Sequence, residues 1–357
     1  MRIGIDAREI CGLRTGSGRY LSGLLREWAA DQRTRHEFIL YAPEPLSVMP
    51  DVGRFATRLV AGTPDSWWEQ ARLPSVAAAD HLDVFFAPAY TAPLRLKVPT
   101  VVAIHDLSFV AHPEWFRLRE GVRRRWLTRA SARRARAIVT ISEFSRRELI
   151  DRLGVPNDRV HVIPPGITSP ASSLGGGARA ERVLFVGSIL NRRHVPDLVR
   201  SFGRVARLRA GASLDLVGDN RTYPREDLER TIASEGLVDR VRWHQYVSDD
   251  DLGRLYASAR AFAFLSEYEG LGLTPLEALA AGVPPVVLDT PVARESCGDA
   301  AFYVPLGDLA ATSRALEQAL VDETTRARVL AAAPAALAKY SWPRAAKETL
   351  ALIERAG

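Results

Sequence analysis

The sequence predicts an α/β protein built from two doubly wound parallel sheets. Short apolar runs rich in β-branched residues alternate with amphipathic helical patterns along most of the 357 residues. Their hydrophobicity is continuous rather than alternating, which indicates parallel strands covered on both faces. A segment rich in Pro, Gly and Ser, residues 164–177, divides the strands into two sets. Because a single core rarely grows past about 300 residues, this segment predicts a boundary between two domains.

Thirteen strands are predicted, seven before this segment and six after it. The first set is Arg2–Ala7, Glu37–Tyr41, Arg58–Ala61, Asp83–Ala87, Thr100–His105, Ala137–Ser142 and Val160–Pro164. The second set is Arg182–Gly187, Ser213–Gly218, Val241–Tyr246, Ala261–Leu265, Pro285–Leu288 and Ala301–Val304. Helical patterns between them include Asp197–Arg209, Asp249–Ala257 and Pro275–Ala281. Since parallel sheets bind ligands beyond the carboxyl ends of their strands, we expect functional residues directly after strands.

Composition narrows the class of protein. The formal net charge is +6, which favours anionic partners. No apolar run reaches the roughly 18–20 residues that span a bilayer, and the opening Met1–Asp6 predicts a strand rather than a signal peptide. Cys11 and Cys297 suggest neither a disulfide framework nor a metal site. A cytoplasmic protein is the expectation.

The strongest motif is the segment 266–285, which follows a buried strand. Glu269 lies in its glycine-containing loop, and Glu277 lies eight residues later inside the helix that Pro275 begins. Glycine amides near a helix N-terminus suit a phosphate, and carboxylates bind sugar or ribose hydroxyls. The structural alternative is a turn with a solvated glutamate at each end.

A second motif follows the first strand of the second set. Gly187 ends the strand, and Arg192 and Arg193 precede the next helix, where a diphosphate would bind. The alternative is two arginines at an exposed helix start in an arginine-rich protein.

These residues resemble the retaining glycosyltransferase family 4. Glu269 and Glu277 match its pair of glutamates separated by seven residues, and five further segments resemble the family in order: Thr15–Tyr20, Ile104–Phe109, His112–Phe116, Ile141–Arg147 and Val186–Gly187. The family has the GT-B fold, in which two Rossmann-like domains face each other across a cleft. The likeness is greatest to bacterial members that transfer mannose and related sugars in O-antigen or exopolysaccharide assembly.

The resemblance implies a domain division and an activity. It implies an N-terminal acceptor domain over residues 1–166, a linker over 167–180, a nucleotide-sugar donor domain over 181–335, and a C-terminal helix over 336–357 that returns to the first domain. It also implies retaining transfer of a sugar from a nucleoside-diphosphate sugar, GDP-mannose before UDP- or dTDP-sugars, to a hydroxyl of a glycan, lipid-linked or small-molecule acceptor. Neither a metal nor another cofactor is expected.

The resemblance also assigns roles. Glu277 would hold the ribose, Arg192 and Arg193 the diphosphate, and Val247 would offer its backbone to the base. The transferred sugar would be held by Glu269 and the amides of Gly270, Leu271 and Gly272, with His105 as a further contact. Near the first strand, Gly16 and Gly18 would bring bare backbone to the donor phosphates and acceptor, although an ordinary turn is the alternative. Leu21 in the third glycine position argues against an NAD fingerprint.

Other functions stay open at this point. A GT-B epimerase, a sugar-phosphate synthase and a catalytically silent sugar-nucleotide or membrane-binding module share these features. The Asp-x-Asp of Ser248–Asp251 is interpreted as a helix N-cap rather than a metal site.

A basic helix is predicted over Phe116–Arg136, which carries nine arginines and one glutamate. Its apolar residues recur at helical spacing, namely Trp115, Leu118, Val122, Trp126 and Ala130. The helix therefore either docks on an anionic membrane surface or packs on the core with a solvated arginine face. Nucleic acid is not expected as a partner, because no recognised motif accompanies the charge.

Overall fold

The computed structural model describes residues 1–12, 16–46, 53–169 and 179–357, which fold into two compact units. Unit 1 comprises Met1–Pro113, Leu118–Gly166 and Tyr340–Gly357, and unit 2 comprises Glu114–Arg117 and Ile167–Lys339. Residues 170–178 of the predicted linker and Thr15 of the first glycine motif lie outside the described residues.

Unit 1 contains a parallel sheet in the strand order β3-β2-β1-β4-β5-β6-β7. Its strands are Arg2–Asp6 (β1), Glu37–Ala42 (β2), Phe55–Leu59 (β3), Val84–Ala87 (β4), Thr100–Ala103 (β5), Ala137–Thr140 (β6) and Val160–Val162 (β7). Every residue of β4, β5 and β6 is buried, because helices cover both faces of these central strands. The chain order reverses between β1 and β4, which makes their carboxyl ends the topological switch point of this sheet.

The helices of unit 1 include the C-terminal helix of the chain. They are Gly16–Ala30 (α1), Leu73–Ala77 (α2), Ser108–Ala111 (α3), Leu118–Arg134 (α4), Glu143–Leu153 (α5) and Trp342–Ala356 (α14). A five-residue π-helix, Trp68–Arg72, precedes α2. Helix α14 packs on α1, where Trp28 Nε1 donates to the carbonyl of Ala346 at 2.9 Å. The indole of Trp342 fills the space beside Gly23 and Gly166, so a side chain at either glycine would collide with it.

Unit 2 contains a second parallel sheet, in the order β10-β9-β8-β11-β12-β13. Its strands are Arg182–Val186 (β8), Ser213–Val217 (β9), Val241–His244 (β10), Ala261–Phe264 (β11), Pro285–Leu288 (β12) and Phe302–Val304 (β13). Its helices are Val195–Leu208 (α6), Leu228–Ser234 (α7), Asp249–Ser258 (α8), Leu273–Ala280 (α9), Pro291–Cys297 (α10), Leu309–Val321 (α11), Glu323–Ala331 (α12) and Ala333–Leu337 (α13). The predicted α/β class with two doubly wound parallel sheets is confirmed.

The third strand is the one whose predicted position was wrong. We expected Arg58–Ala61, and the strand runs from Phe55 to Leu59. It lies at the edge of the sheet, and four of its five residues are exposed, so it lacks the continuous apolar run that marks the central strands. Phe55 anchors it by stacking on Phe38 at 4.8 Å between ring centroids.

Candidate functional site

Two loops at the carboxyl edge of the unit 2 sheet bring opposite charges together. One loop follows β8 and carries Arg192 and Arg193, and the other follows β11 and carries Glu269. Arg193 Nε donates to Glu269 Oε1 at 2.8 Å. The same guanidinium donates through Nη1 to the carbonyl of Ser188 at 2.8 Å and lies over the ring of Phe264. The side chain of Arg193 is therefore fixed at three points.

The carboxylate of Glu269 is fixed as well. Ser266 Oγ donates to Glu269 Oε1 at 2.9 Å, and Arg192 Nε lies 4.0 Å from the same oxygen. The Glu269 side chain is 15% exposed, which leaves the carboxylate partly open to a ligand. The loop therefore presents an oriented hydrogen-bond acceptor beside two cationic groups.

These charges keep Glu269 ionised. Burial favours the neutral acid, but the guanidinium groups of Arg193 and Arg192, with hydrogen bonds from Arg193 and Ser266, outweigh it and hold the pKa of Glu269 below its usual 4.5. Two guanidinium groups face the carboxylate of Glu269 here, and charged donors of this kind suit an anion.

Arg192 also contacts an aromatic side chain. Its guanidinium lies 6.0 Å from the ring centroid of Trp115, and that indole meets the ring of Tyr268 edge-on at 6.3 Å. Trp115 belongs to Glu114–Arg117, the short stretch that folds with unit 2. An aromatic side chain from a distant part of the sequence thus contacts the residue next to Glu269.

Backbone contacts hold the two loops together. Glu267 N donates to the carbonyl of Arg192 at 2.9 Å, and His194 Nε2 lies 3.3 Å from Glu267 Oε1. His194 has φ +44° and directly precedes α6, so the chain turns sharply after the two arginines. This turn aims both arginines toward the β11 loop.

Two glycines are required where the backbones approach. Gly187 has φ +137°, and a Cβ there would lie 2.7 Å from Arg193 Nη1. Gly218, after β9, has φ +144°, and a Cβ there would lie 2.1 Å from the Gly187 carbonyl oxygen. Only glycine leaves this edge open without moving Arg193.

The remaining residues of the β11 motif lead into α9. Gly270 and Leu271 are buried, and Gly272, with φ +82°, is the N-cap residue of a helix that begins at Leu273 rather than at Pro275 as we predicted. Pro275 still falls in the first turn. Glu277 lies within the helix and is half-buried. The positive φ of Gly272 lets the helix start two residues early.

Val247 lies between β10 and α8 and is half-buried. The following Ser248 accepts a hydrogen bond from Asp251 N at 3.1 Å, which confirms that the Asp-x-Asp segment caps α8.

Across the described ranges, no group of three or more His, Cys, Asp or Glu side chains is arranged to hold a metal ion.

In unit 1, His105 follows β5 and is buried. Its Nε2 donates to the carbonyl of Pro88 at 2.9 Å, which leaves Nδ1 as an acceptor without a partner in the described part of the chain. Burial lowers the pKa of His105 below 6.5 despite the opposing effects of Pro88 and Asp106. The ring is therefore neutral at pH 7 with an oriented lone pair on Nδ1, and the rings of Tyr20 and Tyr90 contact it edge-on.

The glycine motif of unit 1 differs from its prediction. Gly16 and Gly18 lie in the first turn of α1 rather than in an open loop, and Gly18 is buried. A glycine without a side chain can begin a helix as well as a turn, and the sequence pattern alone does not separate the two.

The basic helix α4 presents an exposed apolar stripe. Leu118, Val122 and Trp126 are 77%, 50% and 62% exposed. The helix packs on the sheet through other residues, namely Gly121, Leu127, Thr128, Ser131 and Ala132. The alternative in which the spaced apolar residues face the core is therefore wrong for these three positions.

Sequence reasoning missed several contacts of these sites. It assigned no role to Ser266, which hydrogen-bonds Glu269. It grouped Trp115 with the apolar residues of the basic helix, whereas Trp115 precedes that helix and contacts Arg192. It also missed Tyr90, a residue with φ +65° whose hydroxyl donates to Asp106 Oδ2 at 2.8 Å. Ser266 could have been found from the sequence, because it is a polar residue three positions before Glu269. No local pattern marks Trp115 or Tyr90.

Comparison with known proteins identifies two family domains. The family model described as Glycosyltransferase Family 4 matches residues 14–169, and the model described as Glycosyl transferases group 1 matches residues 176–335. O-antigen chain mannosyltransferase B of Escherichia coli is 28% identical over 290 residues, which cover 77% of this chain and 75% of that protein.

Solved structures show the same fold. Sucrose-phosphate synthase from Thermosynechococcus elongatus matches with a TM-score of 0.78 at 17% identity, covering 99% of this chain and 98% of that one. The Anabaena protein HepE, solved in complex with UDP and glucose, matches with a TM-score of 0.76 at 19% identity, covering 99% of each chain. These likenesses identify the fold as GT-B.

Proposed function

The chain is a glycosyltransferase built from a family 4 domain and a group 1 domain, and we propose that it is a retaining enzyme that transfers mannose from GDP-mannose to a hydroxyl of a glycan or lipid-linked acceptor. The similarity to a mannosyltransferase of O-antigen chains supports mannose as the sugar. The family resemblance supports retention of anomeric configuration.

The observation that carries the proposal is the pairing of Arg193 with Glu269 beside Arg192. Two guanidinium groups, of which that of Arg193 is held by hydrogen bonds, match the charge and geometry of a diphosphate. A carboxylate that stays ionised accepts hydrogen bonds from sugar hydroxyls. In this assignment the arginines bind the diphosphate and Glu269 binds the transferred sugar.

The other residues of unit 2 complete the donor site in this proposal. Glu277 on α9 binds the ribose hydroxyls, and the backbone of Val247 contacts the base. Gly187 leaves room for the diphosphate next to Arg193, and the amides of Gly270, Leu271 and Gly272 contact the sugar. In unit 1, Gly16 and Gly18 let the backbone at the start of α1 approach the substrates.

The chemistry proposed is a front-face displacement. The acceptor oxygen bonds to the anomeric carbon while the bond from that carbon to the diphosphate oxygen breaks, and the departing diphosphate takes the acceptor's proton. The charge that develops on the diphosphate is stabilised by Arg192 and Arg193, so the proposal needs no metal ion and no enzymic nucleophile. Rate enhancement then comes from positioning and fixed charge.

His105 has a defined part in this scheme. Its neutral ring accepts a hydrogen bond at Nδ1 from a hydroxyl of the transferred sugar, because Nε2 is already committed to Pro88. The proposal therefore assigns it a binding role rather than proton transfer.

We also propose that α4 docks the enzyme on an anionic membrane surface. An exposed stripe of Leu118, Val122 and Trp126 lies on a helix with many arginines, the combination that interfacial helices use. Across the described part of the chain, every helix is too short or too polar to cross a bilayer. In this proposal the enzyme is cytoplasmic and works at the inner face of the membrane on a lipid-linked acceptor.

The first experiment is a thermal-shift panel of GDP, UDP, dTDP and ADP, each with and without Mg²⁺. A ligand at 100 times its dissociation constant stabilises the folded state by about 2.7 kcal/mol. We expect the largest shift from GDP in either condition. A larger shift from UDP or dTDP would replace the proposed donor, and a shift that depends on Mg²⁺ would overturn the metal-free mechanism.

The second experiment compares Glu277→Ala with Glu269→Ala. Loss of a ribose contact should weaken nucleotide binding by about tenfold or more. Loss of the sugar contact should lower turnover with little effect on nucleotide binding. Normal transfer by both variants would show that the site lies elsewhere. An enzyme that binds nucleotide yet interconverts sugars or uses a sugar phosphate would favour the epimerase or the synthase.

A further inference from the structure

A charged cluster lies at the switch point of the unit 1 sheet. Asp6 is the last residue of β1, Arg8 follows it in a single 3-10 turn, and Thr91 lies in the loop after β4. Glu69 reaches the cluster from the π-helix Trp68–Arg72. These residues take no part in the proposed donor site.

The cluster is closely connected. Arg8 Nη2 donates to Glu69 Oε1 at 2.7 Å, and Arg8 Nε lies 3.2 Å from Asp6 Oδ2. Thr91 Oγ1 donates to Glu69 Oε1 at 2.6 Å. The guanidinium also lies 5.8 Å from the ring centroid of the buried Trp68. Arg8 and Glu69 therefore have fixed orientations.

Burying these charges is a poor way to stabilise a fold. The side chains of Asp6, Arg8 and Glu69 are 3%, 10% and 2% exposed. A buried ion network is often no more stable than apolar residues of the same volume, so its presence points to a use other than stability. Burial, opposed by Arg8, raises the pKa of Asp6 to about 6, which shows that ionisation of this carboxyl is costly.

The hydrogen-bonding capacity of the cluster is not exhausted. Arg8 Nη1 and Glu69 Oε2 have no hydrogen-bond partner among the described residues. Neither atom is completely buried, so each keeps some exposure to solvent. A donor and an acceptor held side by side suit vicinal hydroxyls, because each hydroxyl can both donate and accept. Two carboxylates against one guanidinium disfavour a phosphate.

We propose that Arg8 and Glu69 form a subsite that binds vicinal hydroxyls of the acceptor's sugar ring, with Asp6 and Thr91 as positioning residues. This rests on the proposed function, since it assigns the acceptor of the same reaction. The switch point supports it, because ligands of open α/β sheets bind beyond the carboxyl ends of the strands there. The π-helix supports it as well, since such turns are frequent at functional sites.

The test is saturation-transfer NMR on the full chain with the methyl α-glycosides of mannose, glucose and galactose, with and without GDP. The test variant is Glu69→Gln, which keeps the size of the side chain and removes its charge. We expect at least one glycoside to bind wild type and Glu69→Gln to bind it about tenfold or more weakly.

The matched control is Asp80→Asn. Asp80 is another buried carboxylate of unit 1, paired with Arg58 at 2.8 Å and accepting from the Tyr41 hydroxyl. The Asp80→Asn variant should bind the glycoside as wild type does, even if its Tm is lower than that of wild type. Equal loss of binding in the two variants would overturn the proposal, as would no binding of any glycoside by wild type or unchanged binding by Glu69→Gln.

Two further arms separate the other outcomes. If Glu69→Gln does not fold, the test uses Thr91→Val, which removes the hydroxyl that orients Glu69. This variant should bind the glycoside several-fold more weakly, and unchanged binding would overturn the proposal.

Hydrolysis of GDP-mannose without acceptor should keep its KM in the variants that fold. A raised donor KM with normal glycoside binding would mean that the hydroxyls belong to the donor, which also overturns the proposal. Failure of wild type to bind any nucleotide would instead contradict the proposed function.

Discussion

Arg193 Nε lies 2.8 Å from Glu269 Oε1, so an ion pair joins the loops that follow β8 and β11. The two side chains are 14% and 15% exposed, which makes the pair largely buried. Removing one partner of such a pair leaves the other uncompensated in a poorly hydrated place. The stability of this edge therefore depends on both residues together.

This coupling predicts a non-additive double-mutant cycle. Arg193→Met and Glu269→Gln should each lower the free energy of unfolding by about 1–3 kcal/mol, and the double variant should lose less than the sum. Urea unfolding of the four proteins measures this. A matched cycle on Arg294 and Asp289, an exposed pair at 2.7 Å, should give a coupling below about 1 kcal/mol. Equal couplings in the two cycles would contradict the importance of burial.

The close approach at Gly187 gives a second prediction. Gly187→Ala should lower the free energy of unfolding by about 1–3 kcal/mol, because alanine is strained at φ +137°. It should also weaken nucleotide binding, because a Cβ 2.7 Å from Arg193 Nη1 pushes the guanidinium away. The control is Gly236→Ala, where φ is +69° but nothing lies within 4 Å of the added Cβ. It should lose stability through strain alone and keep nucleotide affinity. Nucleotide titration distinguishes the two variants.

The buried neutral His105 predicts a pH dependence of stability. Its folded-state pKa is lowered below 6.5, so as the pH falls through 6.5 the unfolded chain takes a proton that the folded chain does not. Stability is then lost on acidification, by up to about 1.4 kcal/mol per pH unit until the folded-state pKa is reached. His105→Asn lacks this titration. We expect its stability relative to wild type to rise as the pH falls from 7.5 to 5.5, measured by urea unfolding; a constant difference would contradict a lowered pKa.

The architecture was largely readable from the sequence because parallel strands covered on both faces give continuous apolar runs. All thirteen strands were predicted, and the misplaced one, Phe55–Leu59, is an exposed edge strand without that signal. Helix α9 begins at Leu273 because Gly272 adopts a positive φ, a property that composition does not specify.

The site was only partly readable, since contacts between distant segments leave no local pattern. The motif after β11 indicated Glu269 and Glu277, but the contact of Trp115 with Arg192 joins residues 77 positions apart. The cluster of Asp6, Arg8 and Glu69 likewise depends on the sheet topology and on a π-helix. Periodicity also grouped Leu118, Val122 and Trp126 with Trp115 and Ala130 as one stripe without deciding between core and solvent.

That exposed stripe gives the last prediction. Leu118→Ser with Trp126→Ser should weaken binding to vesicles of phosphatidylcholine and phosphatidylglycerol by about tenfold or more, because burying each such side chain in the interface is worth about 1.5–3 kcal/mol. Raised salt should weaken wild-type binding as the arginine charges are screened. The control is Leu208→Ser in unit 2, where the leucine is 73% exposed but lies outside α4. Co-sedimentation measures all three proteins; equal binding of wild type to vesicles with and without phosphatidylglycerol, or no loss in the double variant, would contradict docking through α4.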